Sequence, residues 1–170
     1  LEYCDSVVVG DAEGVWRQVV RDYEAQDLKR IYHGPATEQD HRAVHDWLLA
    51  APPRVLRNCL ETTRGCKFDC SFCCIPALSR GAVRKKPVAE VAALVQRLRD
   101  AGQPISLVDN NIYSDPSYAR ELFTALRPLK VKWAASCSID IAANEPMLRL
   151  ARESGCAMLL IGVEIGSASL

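Results

Sequence analysis

Three closely spaced cysteines, Cys66, Cys70 and Cys73, are the side chains of this 170-residue chain best suited to chemistry. Their C-x3-C-x2-C spacing puts three thiols on one segment, and cysteines so near in sequence more often share a metal than pair with one another. Three thiolates can ligate three irons of a [4Fe–4S] cluster and leave the fourth iron without a protein ligand. The spacing therefore predicts a cluster with one iron open to a small molecule.

Two other uses of these cysteines stay open. A zinc site needs a fourth Cys or His, and an electron-transfer cluster needs a fourth thiolate. Cys74 directly follows Cys73 and is poorly placed to complete a tetrahedron, whereas Cys59 or Cys137 could supply the ligand from a distance. A secreted disulfide scaffold would also suit an even count of eight cysteines, but the chain is too long and too apolar for one.

Strands and helices that alternate along the chain must position this segment. Apolar β-branched runs predict the strands, and apolar residues at helical spacing predict the helices. We expect strands at about 7–10, 57–63, 105–108, 131–139 and 157–163, and helices at about 12–26, 38–50, 88–102, 116–126 and 146–155. This alternation predicts an α/β fold with parallel strands and right-handed crossovers, as a barrel or a doubly wound sheet. The last strand is apolar throughout, which predicts burial on both of its faces.

Ligands of such folds collect at the carboxyl ends of the parallel strands. Four polar features fall there: the cysteine segment, the run Asp109-Asn110-Asn111, Cys137 and Glu164. Their common location predicts a single site.

Composition narrows the class of protein. The 21 basic and 21 acidic residues cancel, and a balanced charge disfavours a dedicated nucleic-acid binder. No apolar run approaches the roughly 18 residues that span a bilayer, and no secretory signal opens the chain. We therefore expect a soluble, cytoplasmic protein without a membrane span. Because the chain starts without methionine and stops directly after a strand-like run, we also expect a piece of a longer protein.

The cysteine segment resembles the signature of the radical S-adenosylmethionine (SAM) superfamily, whose members carry this spacing after the first strand of a barrel. The resemblance implies that Cys66, Cys70 and Cys73 hold a [4Fe–4S] cluster and that SAM is the second cofactor. It also implies that Phe72, the aromatic residue before the third cysteine, lies near the adenine of SAM.

Two further runs are similar to motifs of this superfamily. Residues 107–111 resemble the polar motif that ends the second strand, which implies that Asp109 and Asn110 contact the methionine part of SAM. Residues 161–167 resemble the Gly-x-Glu-Ser pattern of the fourth strand, which implies that Glu164 contacts the ribose or amino-acid part of SAM. A carboxylate that caps the next helix is the alternative interpretation of Glu164.

The first residues resemble the last strand and helix of a cobalamin-binding domain, which precedes the barrel in one subfamily of radical SAM enzymes. The resemblance divides the chain into the end of a Rossmann-like cobalamin-binding domain at 1–32, a linker at 33–56 and a partial radical SAM barrel of about four strands at 57–170. The cobalt-ligand motif Asp-x-His-x-x-Gly is absent from the sequence. Cobalamin is therefore expected in the parent protein rather than in this piece.

The resemblance implies an enzyme that cleaves SAM reductively and starts radical chemistry on an unactivated carbon, with cobalamin-dependent methyl transfer as the commonest outcome. The expected partners are a small-molecule substrate and an electron donor such as ferredoxin or flavodoxin. The alternatives are a radical SAM enzyme without cobalamin and a non-enzymatic iron–sulfur or zinc-binding module.

Overall fold

Two units make up the chain, Leu1–Val44 and His45–Leu170. The computed structural model describes residues 2–34, 58–79, 81–100, 102 and 105–163. The helix expected at 38–50 and most of the expected linker lie outside these residues.

The first unit is a β–α–β arrangement. Strand β1 (Val7–Gly10) leads through a 3-10 turn into helix α1 (Trp16–Glu24), and strand β2 (Ile31–Gly34) follows. The two strands pair in parallel, with Val7 opposite Ile31. This second strand was not among the predicted strands, and its last two residues fall in the expected linker at 33–56. A strand of four residues that ends on a histidine and a glycine carries too weak a pattern to be recognised.

One buried side chain organises the first unit. Tyr32 of β2 is buried; its hydroxyl donates to Asp22 Oδ2 at 2.8 Å and accepts from the Lys29 amide at 3.0 Å. By contrast, Trp16 and Tyr23 of α1 are 57% and 71% exposed. The described part of this unit therefore buries little of the apolar surface of its own helix.

The second unit alternates strands and helices. In chain order its elements are β3 (Cys59–Leu60), β4 (Thr63–Arg64), α2 (Ile75–Ser79), β5 (Arg84–Lys85), α3 (Val88–Asp100), β6 (Ile105–Leu107), α4 (Pro116–Leu126), β7 (Trp133–Cys137), α5 (Glu145–Glu153) and β8 (Cys156–Ile161). None of the helices in the described ranges has the length and apolarity needed to cross a bilayer.

Four of these strands form one parallel sheet. Their order is β3, β6, β7, β8, and each strand pairs in parallel with the next. Helices α3, α4 and α5 connect successive neighbours, as parallel pairing requires a crossover. The predicted α/β class and the predicted parallel sheet are thus confirmed. A strand order that follows the chain order is typical of a barrel, whereas a doubly wound sheet reverses direction at a switch point.

The core of the second unit lies between this sheet and its helices. Every second residue of β7 is buried, from Trp133 to Cys137, because successive side chains of a strand point to opposite faces. The Trp133 ring stacks on Phe123 of α4 with ring centroids 5.1 Å apart. Its indole Nε1 donates to the Ser154 carbonyl oxygen at 3.1 Å, which satisfies the one polar atom of a fully buried ring.

Strand β8 is not buried on both faces, so the prediction of burial on both faces was wrong. Leu159 and Ile161 pack against the core, whereas Met158 and Leu160 are 59% and 65% exposed. These two sets alternate along the strand, as the two-residue period demands. In the described part of the chain the helices cover one face of the sheet, and the apolar side chains of the other face remain in contact with solvent.

The strand expected at 57–63 is two short strands that separate at Thr62. After β3 the chain turns, and β4 pairs antiparallel with β5. The carbonyl oxygen of Thr62 accepts from the Lys86 amide at 2.9 Å and from the Tyr118 hydroxyl at 3.2 Å. Neither β5 nor α2 was predicted, since each is too short to show a period. The chain therefore leaves the sheet at Thr62, immediately before the cysteines.

Candidate functional site

The cysteine loop, which comprises residues 65–74, runs from the end of β4 to the start of α2. Cys66 and Cys73 are half-buried, Cys70 is exposed, and all three are free thiols. The Cys73 amide donates to the Cys70 carbonyl oxygen at 3.0 Å, which closes a turn. The Ile75 amide donates to Cys73 Sγ at 3.5 Å. Three accessible thiols therefore lie on one short segment, with a backbone N–H directed at one of the sulfurs.

Glycine is required directly before the first cysteine. Gly65 has a φ of +108°, a conformation that residues with a side chain rarely adopt. A Cβ atom at this position would lie 2.2 Å from the Ala82 carbonyl oxygen. Gly65 thus lets the loop pass close to the neighbouring backbone as it leaves the sheet.

The donor set fits a cluster held by three thiolates. Within the described ranges, no three His, Cys, Asp or Glu side chains converge as the ligands of a single metal ion do. Cysteines that ligate a [4Fe–4S] cluster bind different irons and need not converge on one point. Three free thiols on one accessible loop meet the chemical requirement of such a cluster.

Cys137 is a core residue, although the sequence left it open as a distant fourth ligand. It is buried at the carboxyl end of β7, and burial raises the pKa of its thiol to about 11. Its Sγ donates to the Ser138 carbonyl oxygen at 3.4 Å. Cys59 is half-buried on β3, and Cys74 is exposed beside Cys73.

Asp109 lies two residues beyond the end of β6 and holds the segment that leads into the cysteine loop. Its carboxyl group is buried, with 3% of the residue exposed. Oδ1 accepts from the Thr62 amide at 2.5 Å and the Thr63 amide at 3.0 Å, and Oδ2 accepts from Thr62 Oγ1 at 2.5 Å. Burial raises the pKa of Asp109 above its ordinary value, and these hydrogen bonds oppose that shift. Both oxygens face protein donors, so the geometry supports a positioning role that the sequence analysis did not predict.

The next two residues contact the loop farther along. Asn110 is exposed, and its Oδ1 accepts from the Gly65 amide at 3.0 Å. Asn111 is buried, and its Nδ2 lies 3.7 Å from Cys66 Sγ and 3.0 Å from Ser138 Oγ. Three consecutive residues after β6 therefore bind successive parts of the segment that leads to the first cysteine.

A salt bridge attaches the loop to the end of β7. Lys67 Nζ lies 2.5 Å from Asp140 Oδ2 and 4.8 Å from the centre of the Tyr113 ring. Although burial raises the pKa of Asp140, hydrogen bonds from Lys67 and Ser138 bring it below its ordinary value. Sequence reasoning missed this pair because its members are 73 residues apart and only the parallel sheet brings them together.

Two predicted site residues remain, Phe72 and Glu164, and the structure describes only the first of them. Phe72 lies on the cysteine loop with 69% of its surface exposed, which leaves its ring available to a ligand. Glu164 lies outside the described residues, and its contact with SAM stays a prediction.

A match to a known protein family shows which family this chain belongs to. The family described as Radical SAM superfamily matches residues 60–169, which is more than half of the chain. The chain belongs to the radical SAM superfamily. Membership implies a [4Fe–4S] cluster and SAM as cofactors, in agreement with the three thiols of the loop.

Three curated relatives of this radical SAM chain carry names of methyl- or methylthio-transferring enzymes. The bacteriochlorophyllide d C-12(1)-methyltransferase of Chlorobaculum tepidum is 27% identical over 95% of the chain and 38% of its own length. The cytidylyl-2-hydroxyethylphosphonate methyltransferase of Streptomyces wedmorensis is 33% identical over 63% of the chain and 21% of its own length. The ribosomal protein uS12 methylthiotransferase of Bordetella pertussis is 29% identical over 78% of the chain and 34% of its own length. The chain thus spans well under half of the length of each.

We expect the substitution Asp109→Ala to lower the free energy of unfolding by about 3 kcal/mol, because two backbone amides and one hydroxyl lose their shared acceptor inside the protein. Urea denaturation measures this loss. Asn110→Ala is the matched control: it removes one hydrogen bond at an exposed residue and should cost less than about 1 kcal/mol. Unchanged stability of Asp109→Ala together with weaker binding of SAM would instead identify Asp109 as a direct SAM contact.

Proposed function

We propose that this chain is part of a radical SAM enzyme that cleaves SAM reductively and transfers a methyl group to an unactivated carbon of a small molecule. The observation that carries the proposal is the loop of three free thiols at the carboxyl end of the first strand of the parallel sheet. Membership of the radical SAM superfamily supports the reductive cleavage of SAM. The names of the relatives, two methyltransferases and a methylthiotransferase, support methyl transfer.

In this proposal Cys66, Cys70 and Cys73 hold the cluster. The cluster that they would hold would supply the electron needed to break a carbon–sulfur bond of SAM, with ferredoxin or flavodoxin as the proposed cytoplasmic electron donor. One residue of the loop and two residues that follow other strands orient SAM. Phe72 presents an exposed ring for the adenine, and the exposed Asn110, which also holds Gly65, contacts the methionine part. Glu164 is proposed as a further contact with SAM.

Serine in place of Cys66, Cys70 or Cys73 is expected to abolish the cluster, because an alcohol does not replace a thiolate as an iron ligand at neutral pH. Anaerobic reconstitution of the full-length protein with iron and sulfide, followed by iron analysis, measures cluster content. Addition of dithionite and SAM then measures release of 5′-deoxyadenosine, which should fall below a hundredth of the wild-type amount in each variant.

Cys74→Ser is the matched control for these variants, because Cys74 is an exposed neighbour in the same loop. It should keep both the cluster and the product. Loss of the cluster in this variant alone would show that Cys66, Cys70 and Cys73 are not the set of cluster ligands. Tightly bound zinc in the wild-type protein, with no cluster formed, would contradict the enzyme proposal and favour a zinc-binding module.

Phe72→Ala is expected to raise the dissociation constant of SAM about tenfold, since stacking of a base on an aromatic ring is worth roughly 1–3 kcal/mol. Equilibrium binding of SAM to the reconstituted, oxidised protein measures the change. Phe68→Ala is the control in the same loop, where the ring is 40% exposed and lies beside Lys67. An equal effect of the two substitutions would show that loop packing, rather than contact of Phe72 with the adenine, is responsible.

The first unit is proposed to be the end of a cobalamin-binding domain. Its parallel β–α–β arrangement is the elementary unit of a Rossmann-like fold. The exposed Trp16 and Tyr23 of α1 offer an apolar surface that further elements of such a domain would cover. Cobalamin is proposed as a cofactor of the full-length protein, with its cobalt ligand outside this chain.

Full-length protein purified from cobalamin-fed cells is expected to contain about one cobalamin per chain, which the absorption spectrum and cobalt analysis measure. Protein from the same cells with a stoichiometric cluster and no cobalamin would support a radical SAM enzyme of the cobalamin-independent kind.

A further inference from the structure

Asn111 is held in one orientation by its surroundings. Its Oδ1 lies 3.0 Å from the Tyr113 amide and 3.2 Å from the Ser138 amide. Both of these groups are donors only, so the oxygen of the side-chain amide must face them. Its Nδ2 therefore points the other way, and the two hydrogens on this nitrogen need two acceptors.

The two groups near Nδ2 are acceptors. Ser138 Oγ lies 3.0 Å from Nδ2 and 3.3 Å from Oδ1. Its single proton is assigned to the much shorter hydrogen bond to Asp140, which leaves its lone pairs for the N–H of Asn111. The second group is Cys66 Sγ at 3.7 Å. As a thiolate, this sulfur has no proton to give and can only accept. One N–H of Asn111 is thus assigned to the hydroxyl of Ser138 and the other to the sulfur of Cys66.

We propose that Asn111 donates a hydrogen bond to the Cys66 thiolate and thereby raises the reduction potential of the cluster that Cys66 ligates. The inference rests on the proposed function, because it requires Cys66 to be a cluster ligand. A reduced cluster carries one more negative charge than an oxidised one, and an N–H directed at a ligand sulfur stabilises that charge. Hydrogen bonds to the sulfurs are among the determinants of iron–sulfur potentials.

Two features of the surroundings strengthen this effect. Asn111 is buried, with 3% of its surface exposed, so little water screens its dipole. Its acceptor side is anchored to backbone amides on two segments, the one after β6 and the one after β7. The donor therefore stays in place when the charge on the sulfur changes. Asn111 would act on the reduction potential through the Cys66 sulfur, without itself ligating an iron.

The test compares three variants of the full-length protein, each reconstituted anaerobically and titrated without SAM while the reduced cluster is followed by electron paramagnetic resonance. Asn111→Asp keeps an oxygen for the two backbone amides and loses the N–H donor. Asn111→Ala loses the donor without adding a charge. Asn144→Asp is the control, because Asn144 also accepts from a backbone amide but donates to the Tyr113 hydroxyl instead of a sulfur.

At the wild-type midpoint we expect the ratio of reduced to oxidised cluster to fall about tenfold in both Asn111 variants, which is a shift of about 59 mV to lower potential for one electron. The Asn144→Asp midpoint should stay at the wild-type value. A shift in Asn111→Asp alone would assign the effect to the added charge and overturn the proposal. Equal midpoints in all variants would also overturn it. Loss of the cluster in both Asn111 variants would overturn it as well, because it would show that Asn111 is needed to fold the loop.

Iron analysis of the same samples separates this inference from the proposed function. A wild-type protein that forms no cluster contradicts the proposed function itself. A normal cluster in every sample with unchanged potentials contradicts only the role of Asn111.

Discussion

The buried carboxylate of Asp109 is the interaction on which the geometry of the site depends. A carboxylate removed from water is unfavourable unless hydrogen bonds replace its hydration, and the donors of Thr62 and Thr63 supply these bonds. This requirement fixes the backbone at the point where the chain turns away from β3. Tyr118 holds the Thr62 carbonyl oxygen from the side of the helices. The start of the cysteine loop is therefore determined by the second strand of the sheet and not by the first strand alone.

A second set of contacts extends this support to the third strand. Ser138, directly after β7, joins Asn111 to Asp140, and Asp140 pairs with Lys67 of the loop. Neighbouring parallel strands lie about 4.8 Å apart, so residues that follow two adjacent strands can touch both each other and a loop placed above them. The cysteine loop has little regular structure of its own and takes its conformation from the ends of β6 and β7.

The two units of the chain differ in how their described residues are packed. The second unit has a packed core, in which Trp133 and Phe123 join the sheet to the helices, and it holds the whole of the described site. The first unit has parallel strands but leaves Trp16 and Tyr23 largely exposed. The relatives are more than twice as long as the stretch that matches this chain.

The sequence by itself determined the α/β class, the parallel order of the longer strands and the three thiols, because hydrophobic period and cysteine spacing are local properties of the chain. It did not reveal β2 or β5, which are too short to show a period. Only the tertiary structure decided the roles of the run 109–111, since Asp109 and Asn111 act on residues more than 40 positions away. It also decided that β8 exposes half of its apolar side chains, because burial depends on which layers cover a strand and not on the strand itself.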